Sequence, residues 1–192
     1  SRGHFLIRMG AVVSEPLPVT NKKVIDYATY YRTEFLDIYL AAKCRFFLGC
    51  DSGIDGIAMV FRRPTIYANK IPLRYSETHS SNDLIVPNKL WLRKEERYLS
   101  FSEMLDPDIG SYQSTDEYDR AGIDVIPNSP EDIKAVAIET DERLNGTWQT
   151  CEEDENLQDQ FWSIFGPSWL GRVFRARISS DFLRQNRELL GG

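Results

Sequence analysis

The stretch RFFLGCDSGIDGIAMVFRRPTIYAN, from Arg45 to Asn69, constrains this chain more than any other. An apolar run ends at Cys50, an Asp-Ser-Gly corner follows, and a mostly apolar segment leads to a second strand-like run, PTIYAN. Run length and turn residues predict a strand, a helix capped by Ser52, and another strand. Two strands joined through a helix pair in parallel, since antiparallel neighbours are joined by short hairpins. Upstream, Phe5-Leu6-Ile7 predicts a short buried strand that ends in a loop at Arg8-Met9-Gly10, and Val24 to Ala28 predicts a second strand. Between these and Arg45, Phe35, Leu36, Tyr39 and Leu40 recur at amphipathic helical spacing, with Thr33 at the N-cap. The alternation implies an α/β fold, a Rossmann-like parallel sheet with helices on both faces.

Beyond Asn69 the pattern loosens. Residues 70 to 112 are irregular, and IPLRYSETHSSNDLIVPNKLW reads as a long loop, with SFSEML and STDEYDRAG as short helices around its end. A clear unit follows: a strand at Ile123 to Ile126, then a helix with Ser129 at N-cap, Pro130 at its first position, Asp132 at its third, and Gly146 closing it. EEDENLQDQFWSIFG predicts a helix whose acidic first turn suits the dipole, and SSDFLRQNRELL a terminal helix. Residues 1–192 are therefore expected to form one Rossmann-like domain, with the segment 179–192 as its last helix.

Bulk properties narrow the function. Of the 192 residues 42% are hydrophobic, enough for a core without staples. The 23 basic residues are spread along the chain against 29 acidic ones, which argues against a nucleic-acid partner, although Arg62-Arg63 can still meet a phosphate. Three cysteines with no C-x-x-C and only two histidines argue against a zinc site or a disulfide framework, and for reduced cytoplasmic thiols. No apolar run approaches the roughly 18 residues of a membrane span, so no transmembrane segment is expected.

The Asp51-Ser52-Gly53 corner admits three readings. It is a cradle for phosphate, because the first amides of a helix and its dipole attract anions and Gly53 lets an anion approach the backbone. It is a nucleophile elbow carrying aspartate, which needs a downstream histidine, and only His79 lies there. Or it is ordinary turn chemistry. Arg8, at the end of a buried strand beside Gly10, needs an anion or a carboxylate; its bland partner is Asp26. Asn69 ends the second strand of the unit. Trp162, Phe165 and Trp169 can stack a sugar, but at helical spacing they read as core or as packing against another domain.

The segments FLIRMG, VIDYA, TEFLDIYLAAKCRFFLGCDSG, FRRPTIYANKIPL, GIDVIPNSPEDI and FLRQNRELL, in this order from Phe5 to Leu190, resemble a family of bacterial glycosyltransferases of the two-domain GT-B type. More distantly, the FLGCDSG to FRRPTIY segment is similar to the donor side of heptosyltransferases. The resemblance implies two Rossmann-like domains across a cleft, with this chain as the C-terminal, donor-binding half of a longer protein and an N-terminal domain as its partner, on which the terminal helix 179–192 is expected to pack. It implies a nucleotide diphosphate sugar as co-substrate, no separate cofactor and no metal, and an acceptor in bacterial glycan or surface polysaccharide synthesis. Arg8 and Gly10 match the family's Arg-Met-Gly, Ser52 and Gly53 its Ser-Gly corner, and Asn69 and Pro72 its Asn and Pro. Asp51 then contacts ribose or acceptor or acts as a cap, and Arg62 or Arg63 joins Arg8 in offsetting charge on the leaving group. Ala11 and Ala58 depart from the family, which often has an acidic residue and a proline there. The expected location is the cytoplasm, with association with the inner face of the membrane. The rival expectations are a non-catalytic nucleotide-sugar, anion-binding or interaction module, and a nucleotide-sugar epimerase relative.

Overall fold

The computed structural model describes residues 2–50, 52–76, 78, 80–165 and 174–191. β1 (Leu6–Ile7) and β2 (Val24–Ile25) pair in parallel, Leu6 opposite Val24. The expected second strand is shorter than Val24 to Ala28, because Asp26 turns the chain into α1 (Tyr27–Tyr30) and caps it on the Thr29 amide. Phe5 and Leu6 are exposed, not buried as their apolar run suggests. α2 (Glu34–Lys43) starts at the expected Thr33 cap, whose hydroxyl accepts the Leu36 amide at 3.2 Å.

β3 (Phe47–Gly49), α3 (Gly53–Val60) and β4 (Thr65–Lys70) form the strand, helix and strand expected from the opening stretch, with Phe47 opposite Thr65. β5 (Leu84–Pro87) lies parallel beside β4. After it come β6 (Lys89–Leu92), β7 (Arg97–Tyr98), α4 (Phe101–Met104), α5 (Thr115–Arg120) and β8 (Ile123–Ile126). β6 pairs antiparallel with both β7 and β8, a second sheet that an all-parallel expectation misses. α6 (Pro130–Asn145), α7 (Glu152–Phe165), β9 (Arg177–Ile178) and α8 (Ser180–Gln185) complete the chain. The expected terminal helix breaks at Asn186, after which residues 187–190 form a 3-10 turn.

The fold is α/β. Four parallel strands stand in the order β3-β4-β5-β9, flanked by helices, with α3 packed on β3 and β4 and α6 on β4 and β5. β5 is one of the two inner strands, its Leu84, Ile85 and Val86 fully inaccessible, as expected where helices cover a parallel sheet. Two apolar clusters hold the layers. The larger surrounds β5 and includes Phe101 and Phe161, whose rings meet edge to face at 5.0 Å, and Phe174. Trp162 packs on that cluster, its ring 5.5 Å from Phe174. Trp169 and the side chain of Phe165 lie outside the described residues. The smaller cluster joins α2 and α3 to β3 through Ala41, Ala58 and Phe47. Ala41 and Ala58 are both fully buried there, so the small side chain at 58 serves close helix packing.

Candidate functional site

Since β3, β4, β5 and β9 are all parallel, their carboxyl ends share one edge, the usual place for ligands in open α/β sheets. The four ends lead to Ser52, Ile71, Asn88 and Ser179. Two of them are already met by carboxylates of the protein itself.

The first is the β3 corner. Asp55, buried in the first turn of α3, accepts the Ser52 amide at 3.1 Å and the Ser52 hydroxyl at 2.7 Å. Its carboxylate lies against Gly49, where a Cβ would collide with it, so Gly49 is needed for the corner to close. The Ser52 amide is therefore taken, whereas the Gly53 and Ile54 amides have no acceptor within the helix. Asp51 and His79 lie outside the described residues. Asp55 was missed in the sequence, although Ser-x-x-Asp ahead of an apolar helix is a capping-box signal.

Arg8 and Gly10 follow the end of β1. Met9, between them, packs on the Ala41, Phe47 and Ala58 cluster, and so does Ile54 of the first turn of α3. The two loops therefore share one apolar support. The Arg8 guanidinium donates through Nη1 to the Glu15 carbonyl at 2.8 Å, and the same nitrogen is 3.5 Å from Asp26. Asp26 is buried; burial pushes its carboxyl up, but bonds from Leu17 and Thr29 and the charge of Arg8 outweigh it and hold the group below the usual carboxylate range. The carboxylate partner weighed for Arg8 in the sequence is thus the one it has. Nη2 and Nε make no bond among the described residues.

Arg62 and Arg63 are not brought to this corner. They follow the C-terminus of α3 and lead into the amino end of β4. An eight-residue helix, about 12 Å long, separates them from Ser52. Asp141 gathers Arg2, His4 and Arg45. Burial pushes its carboxyl up, but the bonds from Arg45 and Arg2, and His4, together lower it. Arg45 lies two residues before β3, so this network also belongs to the amino side of the sheet.

Asn69 has a structural tie. Its φ of 54° is left-handed, and the β4–β5 register shifts between Ala68 and Lys70 around it. The Asn69 amide donates to Asn128 Oδ1 at 2.8 Å, and the Asn128 amide donates to Asn69 Oδ1 at 2.7 Å. Asn128 Nδ2 also reaches the Pro87 carbonyl at 2.9 Å, so one reciprocal pair ties the ends of β4 and β5 to the start of α6.

Just beyond β4 lies a cavity of about 160 Å³. Ile71, Pro72 and Val125 form its apolar wall; Tyr112 and Tyr118 meet edge to face beside it, ring centroids 5.2 Å apart. Gln113, Ser114 and Thr115 supply the polar side. Burial pushes the Tyr118 hydroxyl up to about 12, so it stays protonated at neutral pH. A smaller void of about 10 Å³ shares Ile71, Pro72 and Tyr118 and reaches Lys70 and Asn88. Apart from Pro72, which the family resemblance singles out, no sequence signal marked these residues, since three separate segments supply them. At the end of β9, Glu139 of α6 accepts the Ser179 hydroxyl at 3.0 Å and the Ser180 amide at 2.9 Å, all of it buried.

Among the described residues no group of acidic, histidine and cysteine side chains could hold a metal, and no helix is long and apolar enough to cross a membrane. No family model, no curated protein and no solved structure matches the chain.

Proposed function

We propose that the chain is the donor-binding half of a nucleotide-sugar-dependent glycosyltransferase, with the donor diphosphate at the crevice between the end of β1 and the first turn of α3. The observation that supports this most is that Met9, between Arg8 and Gly10, and Ile54, in the first turn of α3, pack on one small apolar cluster, while the first amides of that turn lack intrahelical acceptors. In this reading Gly53 and Ile54 donate their amides to the diphosphate, and the Nη2 and Nε side of Arg8 offsets charge that develops as the sugar bond breaks. Gly10 leaves room at the loop, and Asn69 holds the neighbouring strand end in place. The acceptor hydroxyl and its general base belong to a second domain, and the protein works in the cytoplasm at the inner face of the membrane.

The seat alone is weak. A helix terminus contributes up to about 2 kcal/mol and one charge-assisted bond from Arg8 about 1.5–3. The sum corresponds to a dissociation constant near a millimolar. The Asp55 carboxylate beside the Ser52 amide weakens anion binding further, and this same feature favours a second reading, a non-catalytic interaction module whose strand ends are closed by its own acids.

Calorimetric titration of the chain with UDP, CDP, GDP and pyrophosphate tests the proposal. A nucleotide should bind at or below about a millimolar, and Arg8→Gln should weaken it about tenfold. If no nucleotide binds at several times that concentration, the interaction module stands instead.

A further inference from the structure

We infer that the cavity beyond β4 receives one neutral, planar ring of pyrimidine size, which makes the donor a pyrimidine nucleotide; this rests on the function proposed above. The volume is the first ground. About 160 Å³ is close to a cavity of roughly 150 Å³ that takes up benzene, and below the roughly 300 Å³ at which pockets for whole drug-sized ligands begin. One ring fits; a nucleotide sugar must leave its phosphates outside.

Charge is the second. The wall has apolar and neutral polar side chains only, with no acid, lysine or arginine, so nothing there compensates a phosphate or a carboxylate. The faces of the site suit a flat ring: Pro72 and Val125 are apolar, and the Tyr112–Tyr118 pair offers an edge-to-face contact.

The polar groups are the third. Gln113 and Thr115 are exposed beside the opening, and a side-chain amide carries both a donor and an acceptor, as the edge of a pyrimidine does. Their turn is held in place: the amides of Gln113 and Ser114 both donate to Glu117 at 2.9 Å. In the adjoining void the side-chain oxygen of Asn88, a residue only 8% exposed, is buried without a hydrogen-bond donor among the described residues. Buried polar atoms are rarely left so. The void has room for about one water, the donor that would satisfy this oxygen beside a bound ring.

The test uses the full chain and four probes: uridine, UDP, GDP and inorganic pyrophosphate, followed by amide chemical shifts and calorimetry. Uridine should shift the amides of Tyr112, Gln113 and Thr115, and UDP should bind at least about tenfold more tightly than pyrophosphate. Thr115→Trp places bulk at an exposed position over the opening and should bring UDP down to the affinity of pyrophosphate. Gln113→Ala, which leaves the apolar side of the cavity intact, should weaken both uridine and UDP. Unchanged UDP binding in both variants overturns the inference and leaves the proposed function standing, as does a preference for GDP over UDP. If neither UDP nor pyrophosphate binds, the proposed function fails; uridine then decides the cavity by itself, its shifts at Tyr112 and Thr115 upholding the ring site and their absence overturning it.

Discussion

Replacing Asn69 separates two contributions that the structure superimposes at one residue. The side-chain oxygen accepts the Asn128 amide at 2.7 Å, and the backbone sits at a φ of 54°, a left-handed conformation. A net hydrogen bond is worth about 1 kcal/mol, and left-handed backbone costs an ordinary residue about 1–2 kcal/mol that glycine avoids and asparagine partly avoids. Asn69→Ala loses the bond and carries the backbone cost, about 2–3 kcal/mol together. Asn69→Gly loses the bond alone, about 1 kcal/mol, less any relief of backbone strain and plus some entropy of the unfolded chain. At about 2–4 °C per kcal/mol for a chain of this length, alanine should lower Tm by roughly 4–12 °C and glycine by roughly half as much or less. Urea titration of both variants, with Asn128→Ala as a third, gives the values. Should glycine destabilise as much as alanine, or alanine by less than about 0.5 kcal/mol, the reciprocal pair is not what fixes the ends of β4 and β5.

Three further outcomes follow from other residues. Glu139→Ala strands the buried Ser179 hydroxyl, the Ser180 amide and Arg143, and should cost about 3–5 kcal/mol in urea unfolding, against little for an exposed acid such as Glu131. Asp55→Asn removes a charge from the diphosphate seat while keeping an oxygen for the Ser52 amide, so pyrophosphate should bind about tenfold more tightly while the chain loses about 1 kcal/mol; unchanged affinity would place the anion elsewhere. Arg97 bonds hold the Glu103 carboxyl at about 2, against an opposing effect of burial and with help from Ser100. An acid depressed on folding is protonated first in the unfolded chain, so its contribution is complete above its ordinary 4.5 and lost as pH falls to about 2. The Tm gap between the native protein and Glu103→Gln should narrow across that window, and a constant gap would refute the coupling.

Local signals carried the fold well where caps and periods agree. Ser129, Pro130, Asp132 and Gly146 bound α6 as their chemistry dictates, with Gly146 at a φ of 68°. Thr33 and Ser52 do the same for α2 and α3. β5 and β6 were illegible because Pro87 punctuates two adjacent short strands and because Leu84 to Pro87 sits among polar loop residues, so the strand expected at Ile123 to Ile126 had no antiparallel partner in view. Those strands exist through burial against distant residues, a property that no window contains. At the site, the corner was visible but its occupant was not, since Asp55 could be read as one more acid on a helix. The cavity was invisible for a different reason: Pro72, Tyr112 and Val125 meet only after β4, α5 and β8 have taken their places.

Mapping the amide shifts of the labelled chain as UDP is added tests the diphosphate seat most directly. The largest changes should fall at Gly53 and Ile54 and in the loop from Arg8 to Gly10, and pyrophosphate alone should reproduce them. Shifts confined to the opposite edge, near Arg45 and Arg62, or none at saturating nucleotide, would contradict a donor site at the carboxyl ends of the parallel strands.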